Sequence, residues 1–176
     1  QINREVRQCI KCELHRGRKN AVPGDGNVRT KIMFIGEAPG QEEDLQGRPF
    51  VGSAGKLLSR LLLSIGLARE DVYITNIVKC RPPGNRAPRV GEILACSGYL
   101  ERQIRLINPK MICPMGNVAL KSFVGRDASI SRVHGQHIPS KDERVIYPLY
   151  HPAAALYVGG LKSVLEEDFK KLRGKI

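Results

Sequence analysis

Apolar residues along the chain gather in four short, nearly continuous runs, KIMFIG (31–36), VYITNIV (72–78), KMICPM (110–115) and RVIYPLYH (144–151). Runs of that length, without polar alternation, fit strands buried on both faces, the condition of a parallel sheet. The intervals between them change to a helical period. Leu57, Leu58, Leu61, Leu62 and Ile65 follow the first run, and Ile93, Leu94, Leu100, Ile104 and Ile107 follow the second. A further helix is predicted to begin near Asn117, and the last carries Leu161, Val164, Leu165, Phe169 and Leu172 on one stripe with Lys and Arg opposite. Strand and helix in alternation predict an α/β fold, a parallel sheet with helices on both faces, whose ligands bind beyond the carboxyl ends of the strands. The first strand delivers GEAPGQEED to that end, the second delivers Asn76 and the fourth delivers His151. Proline and arginine make RPPGNRAPR (81–89) a loop. The stretch RVHGQHIPSKDER (132–144) reads as a hairpin or irregular connection, in which His134 and His137 have little claim to chemistry.

The 176 residues suit one domain spanning 1–176 with a sizeable core. Composition adds a strong bias: 29 Lys and Arg stand against 17 Asp and Glu, a formal net charge of +12. Such a field attracts phosphate-rich partners, nucleic acid or an anionic membrane, although charge alone is also compatible with an ordinary cationic surface. No apolar run approaches the length of a bilayer span, and QINREVRQCIKCEL has no apolar signal-peptide core, so a soluble, cytoplasmic protein is expected. The first residue, Gln1, is not Met, so residues that precede it in the natural protein can be missing. Against this basic background, four carboxylates, Glu37, Glu42, Glu43 and Asp44, fall within GEAPGQEED.

Five cysteines without an export signal argue against a disulfide framework and for metal or redox chemistry. Cys9 and Cys12 form C-x-x-C, a spacing shared by zinc, iron–sulfur and dithiol sites. Cys80 leaves the second strand and Cys96 lies at helical spacing between Ile93 and Leu100, facing inward. A tetrathiolate site tying the N-terminal segment to this loop and helix would hold Fe4S4 or zinc, and the residues alone do not choose between them. Cys113, inside an apolar strand, reads as a core residue. Gly47 and Gly52 have the spacing of a phosphate-binding loop, but Ser53 and Ala54 stand where Lys and Ser/Thr are needed, which excludes that nucleotide site. The helix opening at Gly52-Ser53 has two readings: its free N–H groups bind one phosphate of a polymer, or Ser53 is simply an N-cap.

GEAPGQEED, GRPFVGSAGKLL, YITNIVKCRPP and YHPAAAL, in this order behind C-x-x-C, resemble the family 4 uracil-DNA glycosylases of thermophilic bacteria and archaea over roughly residues 6 to 172. The resemblance implies a three-layer α/β/α sandwich with a central four-stranded parallel sheet, and a structural 4Fe-4S cluster on Cys9, Cys12, Cys80 and Cys96. It implies a DNA repair enzyme that flips deoxyuridine out of single- or double-stranded DNA and hydrolyses the N-glycosidic bond. By position, Glu37 matches the acidic residue that activates water, Phe50 the aromatic that stacks on uracil, Asn76 the amide that reads the base and His151 the histidine near O2. Gly36 and Ala38 complete the uracil-binding set, with the backbone amide of Ala38 a further candidate for holding water. Ala153 and Ala154, in the stretch up to Tyr157, would lie against the minor groove, and Ser53, Arg81, Arg86, Arg89 and Lys162 are candidates for the DNA backbone. A monomer without membrane contact is expected, with repair or replication proteins as possible partners.

These roles agree with elementary chemistry. An amide at a strand end can accept from uracil N3–H and donate to O4, a pattern cytosine reverses. An imidazole can stabilise charge on the departing base, and a carboxylate suits the cationic sugar of the transition state. Glu42, Glu43 and Asp44 are expected to cap or order their loop. Relatives that trap uracil-DNA through a histidine carry that histidine after the second strand, and CRPPGNRAPRVGEILAC contains none, which favours hydrolysis. The competing reading is a non-catalytic iron–sulfur module that binds nucleic acid; an electron carrier would leave Phe50, Asn76 and His151 unexplained.

Overall fold

The computed structural model describes residues 1–140 and 142–175. Its helices are α1 (Ile2–Arg7), α2 (Leu14–Gly17), α3 (Gln41–Gln46), α4 (Ser53–Ser64), α5 (Val90–Ile107), α6 (Asn117–Val124), α7 (Ile130–Val133), α8 (Pro152–Tyr157) and α9 (Leu161–Arg173). Its strands are β1 (Asp25–Gly26), β2 (Ile32–Gly36), β3 (Tyr73–Asn76), β4 (Met111–Pro114), β5 (Ile138–Pro139) and β6 (Val145–Ile146). They form one sheet in the order β1-β3-β2-β4-β6-β5. The neighbours β3, β2, β4 and β6 are parallel, whereas β1 and β5 add antiparallel edges. The expected four parallel strands are therefore the centre of a six-stranded mixed sheet. The two edge strands are only two residues long and carry Gly or Pro, too little for an apolar period to register.

Side-chain alternation on β2 divides the core. Ile32 and Phe34 pack with Leu58, Leu62, Leu165 and Phe169 beneath α4 and α9, and the Phe34 and Phe169 rings stack at 5.9 Å. Met33 and Ile35 face the other way, against Tyr99, Leu100 and Ala119 of α5 and α6. Helices thus cover both faces, the arrangement that continuous apolar strands require. Leu94, placed by periodicity on the inner stripe of α5, is instead 67% exposed. The stripe there is set by Cys96, Tyr99, Leu100 and Gln103, one residue out of phase with Leu94. The fourth run pairs over fewer residues than expected because Pro148 has no N–H, but Tyr147 and Leu149 still donate to Ile112 and Pro114. The connection before it is a hairpin, with Ile138 opposite Ile146. Among the described residues no helix is long and apolar enough to cross a membrane.

Candidate active site

Register brings the first two strand ends together: Gly36 lies opposite Asn76 in the parallel ladder. Beyond Asn76 the chain stays attached to the first strand's loop, with Ile77 N–H donating to Gly36 O and Val78 N–H to Glu37 O. His151 arrives from the far side of the sheet as N-cap of α8, one residue before Pro152. The three ends surround a cleft of about 320 Å³ lined by Glu37, Ala38, Phe50, Asn76, His151 and Ala153. Pro39, Gly40, Glu43, Ala54, Pro82, Asn85 and Arg86 complete its wall.

Asn76 is 1% exposed, and its Oδ1 is the buried side-chain oxygen or nitrogen left without a hydrogen-bond partner among the described residues. An unsatisfied buried acceptor costs about 1–3 kcal/mol. Its position is fixed from below by a buried amine: Lys79 Nζ donates to Asn76 O at 2.8 Å, Thr75 Oγ1 at 2.6 Å and Gln103 Oε1 at 2.8 Å. Burial pushes the Lys79 pKa down to about 7.

Phe50 closes one side of the cleft. Its ring lies 5.5 Å from the His151 imidazole, tilted by 31°. Its backbone has φ +51°, a left-handed conformation that costs a bulky residue about 1–2 kcal/mol. Neighbours hold it there. Arg69 Nη1 and Nη2 donate to the carbonyls of Phe50 and Pro49, each at 2.7 Å. Glu43 Oε1 accepts from the amides of Val51 and Gly52 at 2.8 and 2.9 Å, and its Oε2 accepts from Gly40 at 3.2 Å. Glu43 therefore splints the two loops of the cleft, while buried Asp44 accepts from Lys19 N–H. That is the ordering role expected of Glu43 and Asp44, and it is built on α3, a helix too short to show a period; Glu42 is exposed.

Titration states follow from burial. Glu37 is half-buried and its pKa is raised by desolvation. The His151 pKa is pushed down to about 4, mainly by burial and against the attraction of Glu43. The imidazole is thus neutral at pH 7, and Nδ1 accepts from Ala153 N–H at 3.1 Å. The proton must then sit on Nε2, which becomes a donor.

The DNA-contact candidates are dispersed. Arg86 lines the cleft but binds both oxygens of Glu92; Arg81 donates to Asn85 Oδ1. Arg89 is an exposed N-cap whose own N–H donates to Glu92. Ala154 is half-buried on α8, and Lys162 lies away from the cleft, 3.8 Å from Glu166. Ser53 is exposed at the first turn of α4, and the N-cap is Gly52, which corrects the capping reading. Lys56 N–H already donates to Gly52 O at 2.9 Å, so the cap position falls one residue before Ser53 and no side-chain cap bond is made.

A second, apolar cavity collects Cys9, Cys12, Cys80 and Cys96 against Val6, Leu14, Val78 and Tyr99. Arg18 Nη1 approaches Cys80 Sγ at 3.1 Å. Burial raises the Cys80 pKa and pushes that of Cys96 to about 11. Among the described residues no three His, Cys, Asp or Glu side chains are disposed to share one metal ion, a closer grouping than a cluster that takes one thiolate per iron would need. Cys113 is fully buried in β4, away from this cavity.

Sequence reasoning missed Arg69 and Lys79 in this architecture, and nothing local to either residue announces it. The carbonyls that Arg69 binds lie 19 and 20 residues back in the chain, and Lys79, beside its near neighbours Thr75 and Asn76, is completed by Gln103 from α5.

The model of the Uracil DNA glycosylase superfamily matches residues 23–173. The Type-4 uracil-DNA glycosylase of Saccharolobus solfataricus is 53% identical over 96% of this chain and 82% of its own length. The enzyme of that name from Sulfurisphaera tokodaii is 52% identical, over 98% and 82%. That from Archaeoglobus fulgidus is 48% identical, over 97% and 89%.

Proposed function

Because this chain belongs to the uracil DNA glycosylase superfamily and is a DNA repair glycosylase that removes uracil, we propose the following roles for its cleft. A flipped deoxyuridine enters beyond the strand ends, and the base lies on the Phe50 ring. Asn76 Oδ1 accepts from N3–H while its Nδ2 donates to O4, which cytosine cannot match. The C1′–N1 bond breaks with its electron pair leaving on uracil, and His151 Nε2–H donates to O2 as that charge develops. Glu37, with the Ala38 amide, holds water against the cationic sugar; water adds to C1′ and its proton passes to the carboxylate. Glu37 returns that proton to solvent, the departing uracil anion takes one from water to become the free base, and the DNA keeps an abasic site.

One observation carries the base-reading assignment: the partnerless acceptor of Asn76, buried at the cleft floor. An open buried acceptor at a cleft is a group that a bound ligand can satisfy. The basic composition supports contact with the DNA backbone. Ala153, at the cleft edge on α8, supports a wedge against the minor groove.

The four thiols fit a 4Fe-4S cluster as a donor set, because they come from three segments into one apolar cavity beside Arg18. Such a cluster supplies covalent cross-linking of those segments. Binding requires the buried thiols to lose their protons. Residues 1–176 then act as one glycosylase unit.

The test is excision from a uracil-containing oligonucleotide, developed with alkali, by the parent and by Asn76→Ala. The variant is expected to lose about 100-fold or more in single-turnover rate with an unchanged or higher thermal midpoint, since a partnerless buried atom is removed. Full activity in Asn76→Ala would remove it from base reading, and DNA binding without any excision by the parent would favour the non-catalytic module.

A further inference from the structure

The strained backbone at Phe50 needs something to hold it, and the groups that do so are separable. Phe50 is 5% exposed and stands at φ +51° at the cleft wall. On one side of this turn, the amides of Val51 and Gly52 are held by Glu43, itself a lining residue of the cleft. On the other, the consecutive carbonyls of Pro49 and Phe50 both point at one guanidinium, that of Arg69, at 2.7 Å each. Arg69 opens the single helical turn Arg69–Asp71 just before β3 and is absent from the cleft lining. The turn is also packed from beneath: a Cβ on Gly55 would stand 1.8 Å from Phe50 O. The carbonyl therefore has no room to swing inward, and outward motion breaks the Arg69 bond.

We propose that Arg69 is a positioning residue for uracil excision, its planar guanidinium bridging the Pro49 and Phe50 carbonyls so that the Phe50 ring stays across the base slot. The inference rests on the reading of Phe50 as the stacking surface. Only a planar fork spans two carbonyls at once; a lysine ammonium, a point donor on a flexible stem, engages them less completely. Arg69 touches neither base nor sugar, so its effect runs entirely through Phe50.

A double-mutant cycle tests this. Single-turnover excision and inhibition by free uracil are measured for the parent, Phe50→Ala, Arg69→Gln, Arg69→Lys and Phe50→Ala/Arg69→Gln, with thermal midpoints for each. Arg69→Gln is expected to slow excision roughly 30-fold and weaken uracil inhibition by a similar factor, with Arg69→Lys intermediate. In the Phe50→Ala background the same change should cost less than about twofold. Equal loss in both backgrounds would overturn the proposal, as would parental rates in Arg69→Gln while Phe50→Ala is impaired. If Arg69→Gln does not fold, Arg69→Lys in the two backgrounds decides by the same criterion. Parental rates and uracil inhibition in Phe50→Ala would instead overturn the stacking assignment itself, and this inference with it.

Discussion

A methyl carbon on Gly36 would stand 2.5 Å from Asn76 Oδ1, and the same distance from Phe50 Cζ. The two β-strand ends are opposite one another in the ladder, so the absence of a side chain at Gly36 is what lets the amide and the ring share the cleft floor. Gly36→Ala is expected to displace one or both and reduce uracil excision by about 100-fold. Urea unfolding alongside single-turnover kinetics checks that the loss exceeds any change in stability.

Burial moves Glu37 and His151 in opposite directions. The proposed mechanism needs Glu37 ionised, so the rate should fall as pH drops through its raised pKa. It needs His151 neutral, and that condition holds until pH nears about 4. The acid limb of the pH–rate profile should therefore belong to Glu37 and lie above the ordinary glutamate range. Glu37→Gln should flatten that limb and lower the plateau. A limb unchanged in Glu37→Gln would reassign it.

The Arg86–Glu92 pair predicts a pH-dependent stability. The Arg86 hydrogen bonds hold Glu92 down to about 2, against the effect of its burial and with help from the Arg89 amide. A carboxylate depressed in the folded state stabilises it above the unfolded pKa of about 4.3, and the contribution is lost as pH falls through the folded value. The thermal midpoint of Arg86→Ala should lie below the parent at pH 7, and the gap should narrow as pH descends from about 4.3 towards 2. A gap constant with pH would mean that Arg86 acts otherwise.

The cysteine cavity predicts a brown protein with about four irons per chain. Cys96→Ser should lose colour and thermal stability. It should also slow excision, because Cys80 opens the loop that carries Pro82, Asn85 and Arg86 to the cleft. Cys113→Ala should keep the colour, since that thiol is alone in β4. Iron analysis and visible absorbance check both; stoichiometric zinc in iron-supplied protein would replace the cluster assignment.

The parallel centre of the sheet and helices α4, α5, α6 and α9 were readable from the chain because burial on a strand or a helix leaves a period in apolar residues. Motif order likewise brought Glu37, Asn76 and His151 to strand ends, and the cleft joins them. The local signal fails where an element is short or where the partner is distant. Two-residue edges carry no period, Leu94 shares the apolar character of its neighbours yet faces outward, and Ser53 has capping chemistry but sits one residue late. Arg69 and Lys79 are the clearest cases: two basic residues among many, until tertiary contact puts the first on the carbonyls of Phe50 and Pro49 and ties the second, beneath Asn76, to Gln103 of α5. Which elements form follows from nearest-neighbour periodicity; how a strained ring and an unpaired amide are held depends on hydrogen bonds between residues far apart in the chain, which come into being only when the sheet assembles.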